Sequence, residues 1–141
     1  TRIESRGDFA INWGPFDRLD YGIQHSDYEH TEFEGDGEAG TIFTSDGYEA
    51  RLEAHHRGER LRGAIGMQFS DVDFGAIGEE AFISDTNTQD TGIFIVERLD
   101  FGGWGLEGGA RFERRELDNA IAGSRDFDTW SASGGLFFRP A

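Results

Sequence analysis

The sequence predicts an all-β chain: an antiparallel meander of about seven long strands, part of a transmembrane β-barrel wall. Three observations predict it. Side chains alternate with a period of two almost throughout, which marks strands rather than helices. Short turns alternate along the chain with long polar loops, as in membrane barrels. The alternating runs reach about 10–15 residues, well beyond the ~5–6 usual in globular sheets.

In the first strand Phe9, Ile11 and Trp13 alternate with Ala10 and Asn12, and residues 14–17 (Gly-Pro-Phe-Asp) turn the chain. Leu19, Tyr21 and Ile23 then alternate with Asp20, Gly22 and Gln24, in a strand that continues to about Phe33. An acidic, glycine-rich loop over 34–40 follows. Tyr48, Ala50, Leu52 and Ala54 share the next strand face, opposite Glu49, Arg51, Glu53 and His55, and residues 57–60 turn again. The fourth strand carries Leu61, Gly63, Ile65, Met67 and Phe69 on one face. A loop is expected over about 71–88, then a fifth strand over 91–99 and a turn at 100–103. The sixth strand places Trp104, Leu106, Gly108, Ala110 and Phe112 together. After a loop over 117–126, Trp130, Ala132, Gly134, Leu136 and Phe138 share a face of the seventh.

These faces define the expected wall. Trp13, Phe16, Phe101 and Trp104 gather near the short turns, as an interfacial aromatic girdle would require. The opposite faces carry Glu, Arg, His and Gln. A soluble barrel of this size fills its interior with apolar side chains instead.

The chain is long enough for one domain with a core of its own. Its 21 Gly beside only 2 Pro exclude collagen and a disordered linker. A formal charge of −15, with every basic residue an arginine, leaves no basic stripe to neutralise phosphates, so no nucleic-acid partner is expected. Lack of Cys removes disulfides, zinc–thiolate sites and thiol nucleophiles together. No run approaches the ~20 apolar residues of a spanning helix.

Catalytic motifs fare poorly, and no enzymatic activity is expected. Asp90-Thr91-Gly92 matches the aspartic-protease tripeptide, but that chemistry needs a second carboxylate sharing one proton, and an apolar strand before it. Glu79 and Glu80 are adjacent on an extended chain, point to opposite faces, and cannot flank one glycosidic bond. Asp71, Asp73 and Glu79 suit weak calcium binding without the EF-hand pattern. His55 and His56 fall on opposite faces and make no joint site. His30, Glu32 and Glu34 lie at alternate positions, so all three would share a face beside the acidic loop. Imidazole and carboxylate are zinc ligands, and this set could hold the ion weakly in an open site; the competing reading is a solvated rim histidine. No other cofactor is expected.

Three stretches carry a resemblance. They are residues 27–41 (Asp-Tyr-Glu-His-Thr-Glu-Phe-Glu-Gly-Asp-Gly-Glu-Ala-Gly-Thr), 47–53 (Gly-Tyr-Glu-Ala-Arg-Leu-Glu) and 73–82 (Asp-Phe-Gly-Ala-Ile-Gly-Glu-Glu-Ala-Phe). In order and spacing they resemble barrel wall of TonB-dependent outer-membrane receptors, above all those associated with zinc uptake. The resemblance implies that residues 1–141 are one partial barrel segment. The plug domain and remaining strands would then lie outside the chain. It also implies a bacterial outer-membrane location with lipid against the apolar faces, and contact with TonB only through the plug. The parent would import a metal ion or metal chelate (zinc or an iron siderophore), and the segment alone would not transport. In isolation it should self-associate as a homo-oligomer. A soluble all-β binding module is the alternative, and a dry two-sheet core would favour it. A small hydrolase using an acidic pair is a third reading, and it requires a convergent pocket.

Overall fold

A computed structural model describes residues 1–33, 39–78 and 84–140. Seven strands run β1 (Arg2–Trp13), β2 (Phe16–Phe33), β3 (Ala39–Arg57), β4 (Leu61–Gly78), β5 (Thr86–Asp100), β6 (Trp104–Asn119) and β7 (Gly123–Phe138). All pair antiparallel with their sequence neighbours in one sheet ordered β1 to β7. The sheet is not closed, so β1 and β7 are edges. The predicted meander is therefore the fold.

Cross-strand register fixes the faces. Leu52 pairs with Met67, Met67 with Ile93, Ile93 with Phe112 and Phe112 with Trp130, so these five lie in one row on one face. Ala54, Ile65, Ile95, Ala110 and Ala132 form the next row, and Leu61, Leu99, Leu106 and Leu136 line the sheet near the short turns. Glu49, Arg51, Glu53, Gln68, Arg111 and Glu113 occupy the other face.

The strands overrun their expected ends. Residues 71–78 continue β4 and 86–90 begin β5, where a loop is expected, and 117–126 is strand on both sides of a turn at 120–122. Likewise β3 begins at Ala39, nine residues before Tyr48. The cause is polarity: alternation continues through these stretches, but the residues facing out are Asp, Asn and Gln.

The sheet has almost no core. Among the described residues Ala64 is the one buried hydrophobic side chain, while Trp130 is 81% exposed, Phe138 69% and Ile93 57%. Total accessible surface is 10171 Å², against about 7,300 Å² for a globular monomer of this mass. A single layer has no second layer on which to bury its apolar face, and no two-sheet core exists among the described residues.

Candidate functional site

The two faces exchange character over a row or two of the sheet. In β4 the apolar side chains are the odd residues Leu61, Ile65, Met67 and Phe69, and beyond that point chiefly the even residues Val72, Phe74 and Ala76, with Ile77 and its partner Ile42 remaining on the first face. Pairing of β4 with β3 and β5 runs through this change without a register shift, so no bulge produces it. The neighbours change within about a row of that level, Arg114 and Asp128 already standing in the row of Phe69. In β3, Ala50, Leu52 and Ala54 give way to Phe43 on the other face; in β2, Leu19, Tyr21 and Ile23 give way to Tyr28 and His30. On the formerly apolar face stand Asp27, Asp46, Asp71, Asp73, Glu116, Asp118, Asp126 and Asp128.

Below that level the charged face is a paired network around a depression of about 610 Å³ between β1 and β3. Arg18 meets Asp20 at 2.9 Å, Asp20 meets the His55 Nε2 at 3.0 Å, and His55 meets Glu53 at 3.6 Å. Arg51 then binds Glu53 at 2.5 Å, and Gln68 donates to Glu49 at 3.0 Å. Glycines give large side chains their space here. A Cβ on Gly66 or Gly105 would collide with the ring of its cross-strand partner, Phe94 or Phe137. Both rings carry guanidinium groups: Arg51 lies 4.6 Å from the Phe94 centroid and Arg98 3.8 Å from that of Phe137.

The short-turn end holds the expected aromatics. Trp13 and Phe16 lie 6.1 Å apart and Phe101 stacks on Trp104 at 4.5 Å. Below the Phe69 row of the apolar band, Glu97 is the one carboxylate among the described residues. It reaches across Gly63 to His56, at 3.0 Å from the imidazole Nε2. His55 and His56 thus lie on opposite faces, as alternation requires, and each finds a carboxylate on a different strand. Neither partnership was legible in sequence, because each depends on cross-strand register.

His30 and Glu32 share a face, with Nε2 and Oε1 3.7 Å apart, while Glu34 lies outside the described residues. The His30 ring stands between Tyr28, at 6.5 Å, and Phe43, at 6.3 Å. Among the described residues no group of three or more His or carboxylate side chains is arranged to hold a metal. Asp71 and Asp73 are held by amides from β5, Asn87 donating to both at 2.7 and 2.9 Å and Gln89 to Asp71 at 3.1 Å. Glu79 and Glu80 lie outside the described residues. Asp90 sits inside β5, its two oxygens taken by Arg115 at 2.6 and 2.9 Å. No protein-family model matches the chain.

Proposed function

We propose that this chain is a section of an outer-membrane β-barrel wall of the TonB-dependent receptor type. Its apolar band faces lipid and its charged face lines the lumen. The exchange of polarity between faces, over a row or two and without a register shift, carries this reading. A slab of hydrocarbon against one face demands apolar side chains only over its own thickness. Above the slab that face meets water and becomes acidic.

The dimensions agree. Residues 61–69 of β4 span about 27 Å of strand, or about 20 Å once tilted by the ~35–45° of membrane barrels, close to their ~25 Å apolar band. The aromatic pairs at the short turns mark the periplasmic boundary, and the acidic strand extensions stand outside the cell. Uptake of a metal ion or metal chelate rests on the family resemblance of residues 27–41, 47–53 and 73–82 alone.

The chain has no native cysteine, so single-cysteine spin labels test the orientation cleanly in detergent micelles. Labels at Met67, Ile93 and Phe112 should collide with dissolved oxygen, and labels at Asp73, Asn87 and Asp118 on the same face with a water-soluble nickel chelate. Equal accessibility at Ile93 and Asp73 would end the wall reading.

A further inference from the structure

Above the apolar band the middle of the charged face turns largely uncharged, with Arg2, Glu32 and Arg125 at its margins. Its rows there read Arg2, Ser26, Gly47, Val72, Thr88, Leu117 and Arg125; then Tyr28, Ser45, Phe74, Thr86 and Asn119; then His30, Phe43 and Ala76. Tyr28, His30 and Phe43 form a line of near-parallel rings, with interplanar angles of 17° and 24°. Phe74 extends the line 6.5 Å beyond Phe43. Tyr28, at 59% exposure, and His30 are open to solvent, while Phe43 and Phe74 are half-buried.

Carboxylates outnumber cations around this patch, and the nearest guanidinium, Arg2 beside Ser26, is held by Glu4 and Gln24. Residues 27–33, 39–50 and 70–78 contain seven carboxylates (Asp27, Glu29, Glu32, Asp46, Glu49, Asp71 and Asp73) and no arginine or lysine. Most project from the back of the same strands or stand at the margins of the patch. Among the described residues no guanidinium group lies over these rings, unlike Phe94 and Phe137 lower on this face. Aromatic faces carry negative quadrupole charge and attract cations within about 6 Å. A negative field draws the same ligands and repels anions.

We propose that Tyr28, His30, Phe43 and Phe74 form a binding site for a planar organic cation, held against the ring faces and attracted by the surrounding carboxylates. The site goes beyond the barrel reading and does not require it, because the rings share this face whatever covers the apolar band. It also sets a preference: an anionic chelate is repelled where a planar cation is held.

Three probes with one ring and three charges test this: 1-methylnicotinamide (cation), nicotinamide (neutral) and nicotinate (anion). Each is titrated calorimetrically into the full chain in dodecyl maltoside at low salt. The cation should bind at least about fivefold more tightly than the neutral amide, with nicotinate undetected. Phe43→Leu and Tyr28→Leu, which keep an apolar side chain, should each weaken the cation by about threefold or more. Phe112→Leu on the opposite face should leave it unchanged. Equal affinity for cation and neutral amide overturns the proposal, as does full affinity in Phe43→Leu, or a loss in Phe112→Leu matching that in Phe43→Leu.

Discussion

The ring of Phe94 occupies the space that a side chain at Gly66, its partner across β4 and β5, would need. Arg51 and Arg111 flank the same ring, at 4.6 and 6.0 Å. The absence of a Cβ lets an aromatic side chain lie flat on the charged face and present itself to two guanidinium groups. Gly66→Ala should therefore cost about 1–3 kcal/mol through overpacking. At Gly134 the nearest atom to an added Cβ is 4.0 Å away, so Gly134→Ala should stay within about 0.5 kcal/mol. Urea unfolding in micelles, followed by circular dichroism, measures both; equal midpoints for the two variants would contradict the account.

Strand number, order and the apolar rows were legible in the sequence, because each row follows from simple alternation in a run such as Leu61, Ile65, Met67 and Phe69. The strand ends were not. Asp71, Asp73, Asn87 and Gln89 look like loop residues to any rule that expects one face to stay apolar. The overlooked signal was the phase of Val72, Phe74 and Ala76, which keeps the period of two while moving to the other face. Likewise the one-residue step from His55 to His56 placed them on opposite faces. Their partners Asp20 and Glu97 needed the register of β2 against β3 and of β3, β4 and β5.

Zinc binding, where it occurs, should depend on His30. His30 and Glu32 supply one nitrogen and one oxygen ligand on a single face. Loss of an outer-shell partner typically costs 10–100-fold in metal affinity, so removing a direct ligand by His30→Ala should cost at least about tenfold. Calorimetric zinc titrations of wild type and His30→Ala decide it, and superimposable isotherms remove the site.

The hairpin joining β5 to β6 should weaken in acid. The Gly102 N–H donates to Asp100 at 2.9 Å and Arg139 meets the other carboxylate oxygen at 2.6 Å. The Gly102 bond first, then the Arg139 contact, holds the Asp100 carboxyl below its ordinary value of 3.8. A depressed carboxylate contributes stability that is fully present above the unfolded value and is lost as pH falls through the lower folded one. The stability difference between wild type and Asp100→Ala should thus be constant near neutrality and shrink once pH drops below about 3.8. A difference that stays flat down to pH 2 would refute this.

His56 and Glu97 should behave as a unit. Their contact at 3.0 Å is the one ion pair below the Phe69 row of the apolar band among the described residues, and Gly63 beneath it gives the Glu97 side chain its path. Removing one member leaves the other polar group facing hydrocarbon, whereas replacing both by apolar groups can be close to neutral. His56→Leu and Glu97→Leu should each cost about 1 kcal/mol in micelles, and the double variant distinctly less than their sum. Additive costs would mean that the pair is not coupled.

Out of lipid or detergent, the chain should self-associate. Its accessible surface of 10171 Å² exceeds that of a globular monomer of its mass by about 2,900 Å². Much of the excess is the apolar band, in rows of Leu52, Met67, Ile93, Phe112 and Trp130 and of Ala54, Ile65, Ile95, Ala110 and Ala132. Patches beyond about 300–600 Å² seldom remain open to water. The free edges of β1 and β7, 12 and 16 residues long, add unpaired N–H and C=O groups that template further strands. Closing the sheet on itself would crowd Arg51, Glu53, Arg111 and Glu113 into a seven-stranded interior. Pairing two copies through their apolar bands leaves those charges in water, so the face-to-face assembly costs less. Light scattering in detergent-free buffer should give at least a dimer at high micromolar concentration, and Met67→Glu with Ile93→Glu should shift it toward monomer. A monodisperse species of 15.7 kDa from the unmodified chain would show that the band is covered in some other way.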